Sequence, residues 1–148
     1  MPKPLIFAPC ERVIIGMGDQ AASLIVILHG LQMHADAIPP ELTPLYRFSV
    51  FTQWHRSPEE EGKTFEQRVA MVYENESPIL ENITAFKMTE STTYRVITNF
   101  QKFPALTKYG EYILTLSIRA QGESAWPIPV ATYPLAITLV PKATTQVQ

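Results

Sequence analysis

The chain has 148 residues, of which 46% are apolar and 18% charged, enough to form one hydrophobic core without cross-links or metals. Its 14 acidic and 12 basic residues leave a net charge of −2 spread along the whole length, which argues against a basic tract for phosphate backbones and against an acidic tail. Cys10 is the one cysteine, so an intrachain disulfide is excluded and a reducing, cytoplasmic compartment is expected.

Taken in chain order, the opening "MPKPLIFAPC" carries one lysine and an apolar run broken by prolines, which does not make a secretory signal. The runs "LIFAPCERVII" and "SLIVILHGL" read as strands, joined by the turn "GMGDQ" at 16–20. The longest apolar stretch, Ala21 to Leu31, is about half of the roughly 20 residues that a bilayer span needs, so no membrane partner is expected. A connection with turn formers, "MHADAIPPELTP" at 33–44, leads to "YRFSVFTQWH", in which Tyr46, Phe48, Val50 and Trp54 share one side. Such alternation predicts a half-buried strand. The polar segment "RSPEEEGKT" at 56–64 precedes "FEQRVAMVYE", where Phe65, Val69, Met71 and Tyr73 alternate in the same way. Between Pro78 and Thr89 the pattern weakens, and "ITAFKM" adds at most a short edge strand. Three further strands follow, "TTYRVITNFQ", "YILTLSIRA" and "YPLAITLV", with the turn-rich "AQGESAWPIP" at 120–129 before the last.

About seven strands at near-regular spacing, with most of the 13 prolines in or beside the connections, predict an all-β fold: an immunoglobulin-like antiparallel β-sandwich without a disulfide. One domain is expected over residues 1–141, with a flexible tail over 142–148. The expected core draws on Leu24, Val26, Leu28, Phe48, Val50, Val69, Met71, Val96, Leu114, Leu116, Ile118, Leu135, Ile137 and Leu139.

Within "KYGEYIL", Gly110 and Tyr112 resemble the penultimate-strand signature of immunoglobulin-like domains, in which the tyrosine hydroxyl bonds back to the chain and makes a corner. Lys108 stands where an acid is usual and Leu114 where the antibody-type cysteine would be. A wider resemblance rests on "FAPCERVII", the apolar "SLIVILHGL", the connection through Pro39 and Pro40, an aromatic-rich strand and the late "GEY". Together these resemble a family of small, functionally uncharacterised bacterial proteins with an immunoglobulin-like fold. That resemblance implies the fold and a bacterial cytoplasmic setting, and no activity.

Residues able to carry chemistry are few and poorly arranged. Cys10 beside Glu11 lacks the glycine-rich turn or helix start that would activate a thiolate, and reads as a small core residue. His29 and His34, with Asp36 and Glu41 following, stand five apart across a strand end, a spacing that does not suit zinc. The run Glu59-Glu60-Glu61 consists of neighbours on one loop, unable to face each other across a cleft. "GMGDQ" lacks the third glycine and the helix of a dinucleotide loop, and the net acidity weighs against "YRVITNFQKF" as a nucleic-acid platform. The triplets at Asn75 and Asn82 match glycosylation acceptors but come without an export signal. No enzyme, cofactor, metal or nucleic-acid partner is therefore expected.

Two surface readings remain. Phe51, Val72, Ile97 and Ile113 alternate with the core positions and so point outward; if they fall on one sheet they form an apolar patch through which a second copy, giving a homodimer, or another protein docks. His34, Trp54, His55 and Arg56 form a candidate loop contact site, Trp and Arg being frequent contact residues. The expectation is thus an interaction or structural protein. The alternative is a small-ligand binder or hydrolase using the loops 32–44 and 54–64, through His34, His55 and Glu61.

Overall fold

The computed structural model describes residues 1–16, 21–28, 30–34, 47–101 and 110–140, with the backbone alone for 26, 31–34, 139 and 140. Nine strands occur among them: β1 (Lys3–Ile15), β2 (Ala22–Ile27), β3 (Gly30–His34), β4 (Phe48–His55), β5 (Thr64–Tyr73), β6 (Leu80–Lys87), β7 (Thr93–Phe100), β8 (Gly110–Ala120) and β9 (Ala131–Val140). One 3-10 turn, Pro58–Glu60, interrupts the β4–β5 connection. The strands form two sheets, β2-β1-β4-β7 and β3-β9-β8-β5-β6, so the chain folds as an all-β sandwich. β1, β4 and β7 take the places of strands A, B and E of an immunoglobulin sandwich, while β5, β6, β8 and β9 take those of C, C′, F and G.

Two features depart from the sequence pattern. The apolar run "SLIVILHGL" breaks into two strands in different sheets: β2 pairs antiparallel with β1, whereas β3 lies parallel to β9, the one parallel pair among the described residues. Gly30 permits that approach, since a Cβ there would lie 2.6 Å from the carbonyl oxygen of Ala136. In addition, "ITAFK" belongs to the eight-residue strand β6, paired with β5 from Leu80↔Met71 to Lys87↔Thr64, with Met88 just past its end.

The core lies between the sheets and includes Leu28, Phe48, Val50, Trp54, Phe65, Val69, Met71, Phe86, Met88, Val96, Phe100, Tyr112, Leu114, Leu116, Ile118, Leu135 and Ile137. Leu24 is half-buried, and the side chains of Val26 and Leu139 fall outside the described residues. Each buried side chain of this size contributes roughly 1.5–3 kcal/mol by leaving water. A polar seam crosses the interior, where Trp54 Nε1 donates to Gln67 Oε1 at 2.8 Å and Gln67 Nε2 to Thr98 Oγ1 at 3.4 Å. At the start of β8, Gly110 has φ +137°, a conformation that side-chain-bearing residues rarely adopt, and lies against the Tyr73 ring. Tyr112 is buried with its ring centroid 4.9 Å from that of Tyr73. The chain upstream, where a tyrosine corner would find its acceptor, lies outside the described residues.

Candidate interaction surface

Alternation along β4 sends Phe48, Val50 and Trp54 into the core, so Ser49, Phe51, Gln53 and His55 point outward. Register carries this outer face across the sheet: Ala8 and Ile97 flank Phe51, Ile6 lies beside Gln53, and Cys10 lies beside both Ser49 and Ile27. Two residues beyond Arg12, Ile14 falls on the same face. Four isoleucines are thereby brought to one surface with substantial exposure, Ile6 at 39%, Ile14 at 45%, Ile27 at 45% and Ile97 at 38%. None of the outward positions Ser49, Gln53, His55, Arg95, Asn99 and Arg12 carries an acid, so the described part of this face is apolar and basic.

This arrangement corrects the sequence-derived patch. Phe51 points outward but is only 1% exposed; β4 is an inner strand, and alternation fixes which way its side chains point, not what lies over them. Val72 and Ile113 are half-buried and pair with each other across β5 and β8 on the outer side of the other sheet. The four residues therefore divide between opposite faces of the sandwich, and only Ile97 belongs to the exposed apolar surface. Periodicity cannot assign strands to sheets, which is why Ile6, Ile14 and Ile27 were not among the expected contacts.

The opposite outer face is charged. Arg119 Nε donates to Glu66 Oε2 at 2.7 Å, and Arg68 pairs with Glu81. The Trp126 ring, contributed by the β8–β9 connection, lies over the Arg119 guanidinium at 3.9 Å. Ile83, beside Arg68 on the same face, is 47% exposed.

The candidate loop site is also taken apart. Trp54 is fully buried and hydrogen-bonded to Gln67. Arg56 is 6% exposed and holds the β6–β7 connection, donating from Nε to the carbonyls of Thr89 and Ser91 and from Nη2 to that of Glu90 at 2.7 Å. Both are structural groups, because a buried indole or guanidinium must find acceptors inside the protein. His55 stays exposed. His34 pairs at backbone level with Val140, the far end of β9 from the β8–β9 connection. His55 lies by contrast at the end where β4 leads into β5 and where Gln121 bonds to Thr64. The two histidines therefore belong to opposite ends of the sandwich, and the side chain of His34 falls outside the described residues.

Around His55 there is an open cleft of about 390 Å³ lined by Met1, Lys3, His55, Ser57, Glu59 and Glu60. Glu60 is buried; its carboxylate accepts from the Ser57 backbone N–H at 2.9 Å and lies 2.7 Å from the Met1 amino group. Burial pushes this carboxyl up, but the amino group and the Ser57 hydrogen bonds outweigh it and leave it below its ordinary value. Glu59 is likewise lowered, by its own backbone N–H and the Ser57 side chain. Glu61 is exposed, 3.5 Å from Arg56 Nη2. Cys10 is fully buried, and burial raises its thiol above the ordinary value, the reverse of what a nucleophile requires. Among the described residues no three His, Cys, Asp or Glu side chains gather as a metal site; His29, Asp36 and Glu41 lie outside them. No described helix is long and apolar enough to cross a membrane. The chain matches no protein-family model and no curated protein.

Proposed function

We propose that this protein is a non-enzymatic interaction protein that self-associates through its β2-β1-β4-β7 sheet. The observation that carries this reading is the exposure of Ile6, Ile14, Ile27 and Ile97 on the outer side of one sheet, around outward positions Ala8, Cys10, Ser49 and Phe51 that are themselves buried. Single exposed apolar residues are ordinary, whereas several on one face mark a surface that another chain covers. The resemblance of "FAPCERVII" and "GEY" to bacterial proteins supports a bacterial cytoplasmic setting. Light scattering tests the reading: the wild type should show a species of twice the chain mass, and Ile14→Glu with Ile27→Glu should shift it toward the monomer. A wild type that stays monomeric at millimolar concentration removes the self-association.

The open cleft beside His55 favours a second reading, a small polar ligand held by the 54–64 loop. A fragment screen followed by protein NMR addresses it; unmoved His55 and Glu59 amides throughout would discard it.

A further inference from the structure

Four strands lie at sheet edges among the described residues, and they differ in how they discourage pairing with another chain. β6 carries Glu81 and Lys87, β7 carries Arg95 and Asn99, and β3 carries Gly30, Gln32 and His34. β2, "ASLIVI", carries no charge and no proline, and Ser23 is its one polar residue. Soluble proteins ordinarily blunt a sheet edge with charge, proline or a bulge, because its unpaired N–H and C=O groups form a template for another strand. Among the described residues β2 pairs on one side only, with β1.

The hairpin to which β2 belongs is also left exposed. Pairing of β1 with β4 stops at Cys10↔Ser49, whereas pairing of β1 with β2 continues through Arg12↔Ile25 and Val13↔Leu24 to Ile15↔Ala22. Among the described residues, Arg12–Ile15 and Ala22–Ile25 thus pair only with each other, as a two-stranded ribbon. Ile14 is 45% and Ile15 38% exposed, on its two faces. A ribbon of two strands is marginal in water and gains stability when a third strand joins it.

We propose that β2 is a dimerisation edge, on which two copies of this chain pair β2 to β2, antiparallel about a two-fold axis, and merge their four-stranded sheets into one of eight. The partner is a second copy because the contact is self-complementary. An uncharged strand meets its own copy without like-charge repulsion, and an isologous contact closes as a dimer. Antiparallel pairing keeps the faces in register, so Ile25 and Ile27 of each copy lie beside those of the other and the two isoleucine surfaces become continuous. This inference rests on the self-association proposed above and adds its geometry.

Hydrogen exchange on the wild type needs no variant. Backbone amides of β2 should exchange at least tenfold more slowly at concentrations where the dimer forms than where it does not, while those of the edge strand β7 stay unchanged. Ile25→Lys, which places two lysines near the two-fold axis, should yield a folded monomer, and Ile97→Lys, at the far side of the sheet, should remain a dimer. A dimer whose β2 amides are no better protected than in the monomer overturns the edge pairing and leaves the self-association standing. So does a dimer lost in Ile97→Lys and kept in Ile25→Lys, since that pattern belongs to stacked faces. A wild type monomeric at every concentration overturns both.

Discussion

Trp54 shows how a residue that invites a functional reading can be structural. Its indole is buried between the sheets and donates to Gln67, so Trp54→Phe removes the donor and strands an acceptor in the core. An unmet buried hydrogen-bonding group costs about 1–3 kcal/mol, and lost ring volume adds to this. Urea titration of Trp54→Phe should show a loss of about 2–4 kcal/mol; an unchanged midpoint would mean that the seam contributes nothing. Glu60 makes a prediction in pH. Its carboxyl is held below the ordinary value when folded, so its stabilisation is fully present above the unfolded-state value and is lost as pH falls through the folded one. Glu60→Gln should therefore be less stable than wild type by about 1–2 kcal/mol near neutral pH, with the gap narrowing toward about pH 3. A gap that is constant across this range would refute the pairing.

At the scale of elements, the alternating strands were legible because a period of two is a local property. "FEQRVAMVYE" and "YILTLSIRA" became β5 and β8 with Val69, Met71, Leu114, Leu116 and Ile118 inward. The run from Ala22 to His34 was not legible. Its apolar residues from Leu24 to Leu28 run without alternation, and the placement of β3 is set by partners more than 100 residues away, as in Gly30↔Ala136. Gly30→Ala tests that junction: the added methyl would meet the Ala136 carbonyl oxygen at 2.6 Å, so β3 must move away from β9. Overpacking of this kind costs roughly 1–3 kcal/mol, and the amides of β3 and β9 should lose protection selectively in hydrogen exchange.

For the whole molecule, the two outer faces differ in kind. The outer side of β8-β5-β6 carries the charged and aromatic contacts of Arg119, Glu66, Arg68, Glu81 and Trp126 with one exposed isoleucine, Ile83, while that of β2-β1-β4-β7 carries four, Ile6, Ile14, Ile27 and Ile97. Phe51 and Ile97 are neighbours across β4 and β7, yet one is buried and the other exposed. In monomeric protein at low concentration, Phe51→Ala should cost about 3–5 kcal/mol, whereas Ile97→Ser should stay within about 0.5 kcal/mol of wild type. Equal losses in denaturant titrations would show that Ile97 is packed by its own chain.

By itself the sequence determined the fold class, the absence of a disulfide, and the inward face of most strands. All three depend on composition or on neighbours one and two positions away. Only the tertiary structure decided that Phe51 is buried and Ile97 exposed, that Val72 and Ile113 face away from both, and that Trp54 and Arg56 serve the interior while His55 meets solvent. Each of those outcomes depends on which strand lies alongside and which segment lies above, and these are long-range pairings that no local pattern encodes.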